Sequence, residues 1–151
     1  MAEYLTRDQV ETIALNQPIP FVDSIRCQKG YVFHQNGTGI IVLRGITPNC
    51  FARYELEFTG NVSIPEGGAV TPIATAIVVS GEQRIGSRSI VTPAAVDEYG
   101  NVTSRATVDV PRGCCFTASV EYVSGIVDDP ATTPTPFINV VDGSLTVNRT
   151  A

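Results

Sequence analysis

The chain is short of the residues on which most enzyme and nucleic-acid chemistry depends. Its 151 residues include one histidine, His34, and one lysine, Lys29, and only 17% are charged, against about 25% in an average soluble domain. A single imidazole cannot build a metal centre that needs several. A Ser-His-Asp site needs a presented nucleophile, and no Gly-x-Ser-x-Gly occurs. Nucleic-acid binders cluster cations to neutralise phosphates. Here the net charge is −5, and a basic pair close in sequence such as Arg84 and Arg88 is too thin for a phosphate track. No apolar run approaches the roughly 20 residues that span a bilayer. Met1 to Arg7 has no basic flank followed by an apolar core, so synthesis in the cytoplasm without a secretory leader is expected.

The cysteines, Cys27, Cys50, Cys114 and Cys115, form no Cys-x-x-Cys pair, which argues against zinc. Free, buried thiols are expected, with a Cys27–Cys50 or Cys50–Cys114 link as an open alternative. The acidic pairs Asp97-Glu98 and Asp128-Asp129 are chain neighbours. Neighbours on a strand project apart, so neither pair makes a two-carboxylate hydrolase site locally. His34, beside a turn, is expected to be an ordinary surface or edge residue. The chain is expected not to be an enzyme, and neither cofactor nor metal is expected.

What the sequence has is period-two alternation. Ala52 to Phe58 places apolar residues at even positions and charged ones at odd positions; Val102 to Val110 and Phe116 to Tyr122 repeat the pattern, and Leu145 and Val147 flank Thr146 in a last strand. Each predicts a strand with one wet face. Ile40 to Leu43 and Ile73 to Val79 are apolar on both faces, which places them between layers or at a subunit interface. Turn signals recur about every ten residues: Asn36-Gly37, Pro65 to Gly68, Ser80-Gly81, Tyr99 to Asn101, Pro111 to Gly113 and Asp142-Gly143. Asp128 to Pro136 predicts an exposed proline-rich loop. Thr6 to Gln9 matches a capping box, so a short helical or extended arm over residues 1–10 is expected, with a globular all-β domain over 11–151.

Several stretches carry a resemblance: Ala14 to Phe21, Val32 to Gly45, Phe51 to Phe58, Gly81 to Ile85, Pro111 to Cys115 and Ile138 to Arg149. Together they resemble the tumour-necrosis-factor/C1q-like jelly roll of phage and prophage virion proteins. The resemblance covers most of residues 11–151 and implies a jelly-roll β-sandwich that forms a homotrimer. It also implies a structural role on a bacteriophage virion, as a capsid decoration or head-fibre protein on the capsid surface. The partners it implies are further copies of the chain and a major capsid or other virion protein. The alternative is an adhesin-like module that binds a host-surface glycan or receptor.

Low charge and the doubly apolar segment independently suggest surface hidden between copies. Ile73, Ile77, Val79, Tyr54 and Tyr122 are the candidate trimer interface. Tyr4, Leu5 and Val10 in the arm are the candidate capsid attachment, because a terminal segment often orders only on docking. Tyr99 and Asn101 are the candidate ligand-facing residues, together with the 128–136 loop.

Overall fold

The computed structural model describes residues 2–6, 11–14, 16–21, 23–26, 31–34, 37–65, 72–93, 95–124 and 137–150. Twelve strands occur among them: β1 (Ala2–Leu5), β2 (Glu11–Ile13), β3 (Asp23–Arg26), β4 (Val32–His34), β5 (Ile41–Arg44), β6 (Phe51–Ser63), β7 (Ile73–Val79), β8 (Glu82–Gln83), β9 (Ser89–Val91), β10 (Gly100–Pro111), β11 (Cys115–Ser124) and β12 (Ile138–Arg149). A single 3-10 turn, Ile85–Ser87, joins β8 to β9. The strands form two antiparallel sheets. The front sheet runs β10-β6-β12-β1-β3 with β2 on β12, and the back sheet runs β4-β5-β11-β7-β8 with β9 on β7. This is the expected all-β jelly-roll sandwich.

The alternating segments form the long strands, and alternation sets their faces. Along β6, Ala52, Tyr54, Leu56 and Phe58 are buried and Phe51, Arg53, Glu55 and Glu57 are exposed. β10 pairs with β6 in unbroken register from Gly100 opposite Val62 to Pro111 opposite Phe51. Its small Ser104 faces inward, where its hydroxyl lies 3.0 Å from that of Thr75 on β7 in the opposite sheet. The pair satisfies both buried hydroxyls at a point where the sheets meet.

The turn chemistry holds in some places and changes meaning in others. Ser80 (φ 51°) and Gly81 (φ 85°) make the tight β7–β8 hairpin, and Gly113 (φ 81°) closes β10 to β11. Both positive-φ central residues suit the twist of a two-residue hairpin. Asp142-Gly143 is not a turn. β12 runs through it with a bulge between Val141 and Ser144, and Asp142 takes the left-handed conformation (φ 54°). Tyr99 to Asn101 is not a turn either: Gly100 already pairs in β10, and the left-handed residue is Asp97 (φ 65°).

The N-terminal segment corrects a further expectation. Residues 2–5 are no arm outside the domain. They form β1, bonded to β12 on one side and β3 on the other. Thr6 caps no helix; its hydroxyl accepts from Gly143 N at 2.8 Å and its amide donates to Gly143 O at 3.0 Å. Pairing on both sides lets β1 bury Tyr4 in the core without leaving buried backbone groups unbonded. Residues 7–10 lie outside the described set.

The core lies between the sheets and centres on Tyr4, Phe21, Phe58, Tyr54, Tyr122, Ile41 and Leu43, each with no exposed surface. Phe21 meets Phe58 edge-on at 6.3 Å. His34, although on the edge strand β4, is buried: its ring lies 4.7 Å from that of Tyr4, and Nε2 bonds Thr38 O at 2.7 Å. The surface position expected for it does not hold, because β4 turns alternate residues inward and leaves Phe33 as the exposed one.

Candidate functional site

The expected interface residues are interior ones. Ile73, Ile77, Val79, Tyr54 and Tyr122 all pack into the main core of the chain, none more than 3% exposed. Every residue of β7 is buried. The doubly apolar reading of Ile73 to Val79 is right, but no second copy is needed to cover it. Ile40 to Leu43 departs the other way: Ile41 and Leu43 are buried while Ile40 is half exposed. Tyr54 is held by hydrogen bonds from its hydroxyl to Arg44 O (2.5 Å) and Tyr31 O (3.3 Å), and burial pushes its pKa up. Tyr122 is buried without a hydrogen-bond partner, and burial pushes its pKa up to about 12. An aromatic so enclosed cannot touch another molecule.

The candidate attachment residues fare similarly. Tyr4 has no exposed surface and packs on His34, so it is not available to a partner. Leu5 is half-buried in β1, and Val10 lies outside the described residues. Tyr99 is 50% exposed, immediately before β10. Asn101 is exposed too, but its amide bonds Gly60 O (3.3 Å) and Asn61 Oδ1 (3.4 Å), tying it to β6. The 128–136 loop lies outside the described residues.

The geometry brings other residues together. Cross-strand register aligns the outward side chains of the front sheet into rows, one running Glu3, Thr146, Glu57, Arg105 and the next Asn148, Glu55, Thr107. Between them lies a depression of about 480 Å³ lined by Glu55, Glu57, Arg105, Thr107, Thr146 and Asn148. Arg105 reaches Glu57 at 3.3 Å, and Arg53 makes a two-pronged pair with Asp109 at 2.8 and 3.2 Å. The hydrogen bond from Arg53 holds the Asp109 carboxyl below its usual range, and the same bond raises Arg53. Both pairs are solvent-exposed, so they order the face more than they stabilise it.

Past β10 a further arginine, Arg84, joins Arg105. A second depression of about 330 Å³ is lined by Arg84, Gly86, Ser87, Arg105, Ala106 and Thr107. Ser87 is fully used inside: it accepts from Ile77 N at 2.8 Å and donates to Arg84 O at 2.5 Å, which fixes the base of Arg84. The two hollows share Arg105, Ala106 and Thr107, so an acidic face continues over the edge into an arginine-bearing one. Sequence reading noted Arg84 but not its juxtaposition with Arg105. Alternation marks both strands' outward residues, but only register decides who sits beside whom. Among the described residues, no group of three or more His, Cys, Asp or Glu side chains is placed to hold a metal.

No family model and no curated protein matches the chain. Solved structures do match. The chain is similar to the globular domain of zebrafish complement 1qA protein, over 96% of this chain and 94% of that one, with TM-score 0.59 and 14% identity. It is also similar to murine APRIL at pH 5.0, over 95% and 96%, with TM-score 0.56 and 11% identity. At such identities the likeness establishes the fold, a C1q/TNF-like jelly roll.

Proposed function

We propose that this chain is a non-enzymatic structural module that closes into a homotrimeric ring and serves as a decoration or head-fibre protein on a bacteriophage capsid. The observation that carries the ring is the placing of Glu55 and Arg84 on either side of β10. Glu3, Glu55 and Glu57 occupy the front face with Arg105 beside them, and Arg84 occupies the adjoining edge. A surface whose face and edge are complementary joins copies head to tail, and such contacts close into rings when the rotation allows. Three copies, and the virion setting, come from the jelly-roll resemblance. Capsid attachment cannot use Tyr4, so it falls to exposed surface.

Native mass spectrometry at low micromolar concentration tests the ring. The expected mass is that of three chains. Arg84→Glu should favour monomer, and so should Glu55→Arg, while the double swap should restore part of the assembly. A wild-type monomer throughout would end this reading. Proteomics of purified phage particles tests the setting, with absence from intact capsids as the contrary result.

A second reading, glycan binding, is favoured by the planar and hydroxylic side chains that line the front hollow, Asn148, Arg105, Glu55, Thr107 and Thr146. Its volume lies in the range of small-ligand sites. A glycan array with hits abolished by Asn148→Ala would support this reading, and an array without hits would remove it.

A further inference from the structure

Free cysteine is among the residue types most often buried, yet Cys50, Cys114 and Cys115 are all exposed. The expectation of buried packing thiols therefore fails at three positions, and all three fall at one end of the sandwich. Cys50 ends the connection from β5 to β6; Cys114 and Cys115 follow the hairpin turn between β10 and β11. The two connections are bound to each other. Gly45 N donates to Cys114 O (2.8 Å), Gly113 N to Gly45 O (3.0 Å) and Arg112 N to Cys50 O (2.9 Å). They are also in close contact, since a Cβ on Gly45 would lie 2.2 Å from Pro111 O. The thiols thus stand on one fixed platform.

Two further features point to what the platform takes. Ile46 (50% exposed) and Phe51 (38% exposed) put apolar surface beside the thiols. Exposed Arg112 lies in the turn, and exposed Arg44 is the cross-strand partner of Cys115. Guanidinium groups draw in anionic disulfides, and an exposed thiol in its thiolate form exchanges with a disulfide that can reach it.

We propose that this pole is a thiol–disulfide exchange site through which two copies of the chain become covalently joined end to end. A thiolate at Cys114 or Cys115 attacks one sulfur of a small anionic disulfide such as oxidised glutathione. The S–S bond breaks, a mixed disulfide forms on the protein, and one glutathione thiolate leaves and takes a proton from water. A pole thiolate of the second copy then attacks the protein-side sulfur and displaces the second glutathione. Two protein thiols are oxidised, one glutathione disulfide is reduced to two thiols, and no other oxidant enters. The exposed Ile46 and Phe51 of the two copies cover each other in an isologous, two-fold contact. This joint lies outside the head-to-tail ring and does not depend on it.

The test uses the full-length chain, reduced, desalted and incubated with oxidised glutathione at neutral pH. Intact-mass and peptide mapping should place glutathione on Cys114 or Cys115, and non-reducing gels should then show a two-chain species that dithiothreitol removes. Cys27→Ser should still form it. A Cys50→Ser/Cys114→Ser/Cys115→Ser variant should lose it entirely while keeping the melting temperature of the reduced wild type. If that variant does not fold, blocking the folded wild type with iodoacetamide must abolish the species instead. Adducts confined to Cys27, adducts without joined chains, no adduct at all, or joined chains persisting in the triple variant would each overturn the proposal.

Discussion

β6 and β7 present similar inner faces and opposite outer ones. Tyr54, Leu56 and Phe58 fill the core from the front, and Ile73, Ile77 and Val79 fill it from the back. Outward, β6 carries Arg53, Glu55 and Glu57 in water, whereas β7 carries Ala74, Ala76 and Val78, all buried. A strand with charges at every second position declares which side is wet. A strand apolar on both faces declares only that both sides are covered, and a neighbouring subunit or the chain itself would satisfy it equally. The sequence of β7 was therefore right about burial and silent about its source.

The largest effect should come from the strand buried on both faces. Val78→Asp on the outer face of β7 is expected to cost about 3–5 kcal/mol by burying an uncompensated charge, whereas Glu57→Ala on the outer face of β6, measured on the dissociated chain, should stay within about 0.5 kcal/mol. Thermal or urea unfolding measures both. A Val78→Asp cost near that of Glu57→Ala would mean that the outer face of β7 is not enclosed by its own chain, and the contrast between the strands would break.

Two buried tyrosines sharpen the comparison further. Tyr54→Phe on β6 removes a hydroxyl that serves two carbonyls, and should cost about 0.5–1.5 kcal/mol. Tyr122→Phe removes a hydroxyl with no partner and should be close to neutral at pH 7, or slightly stabilising. Its effect should emerge in alkali. A phenol whose pKa rises from 10.0 to about 12 on folding contributes stability that is complete below pH 10 and is lost as pH climbs through about 12. Unfolding midpoints of the wild type should therefore fall more steeply across that window than those of Tyr122→Phe. Parallel curves would place Tyr122 in water.

The smallest effect belongs to the exposed ion pair. Asp109, held low by Arg53, contributes stability above the usual carboxylate range and loses it as pH falls through its lowered value. Asp109→Asn should flatten the acid side of the pH–stability curve slightly and leave neutral pH almost unchanged, and salt should mask the difference. Measured on the dissociated chain, a large loss at neutral pH would show that the pair is not solvent-exposed.

The strands of the sandwich were legible wherever side chains alternated. Ala52 to Phe58 and Val102 to Val110 lie within β6 and β10, and Ile73 to Val79 is β7 from end to end. Less was legible at glycines. Ser80-Gly81 and Gly113 are turns, while Asp142-Gly143 is a bulge inside a continuous strand, because Thr6 pairs with Gly143 across 137 residues. The candidate surface was least legible. Tyr54 and Tyr122 look like edge aromatics in isolation, and Cys114-Cys115 looks like core filler; burial of the first two and exposure of the second follow from how the sheets stack.

The sequence alone determined an all-β sandwich, because period-two hydrophobicity is a local property of the pleated strand. It also determined which side of each charged strand meets water. Only tertiary structure decided that β7 is sealed by its own chain, that the N-terminal residues are a paired strand, that acidic face and arginine edge adjoin across β10, and that three thiols share one pole. Those facts depend on register and on contacts between residues far apart in the chain, and a local pattern carries neither.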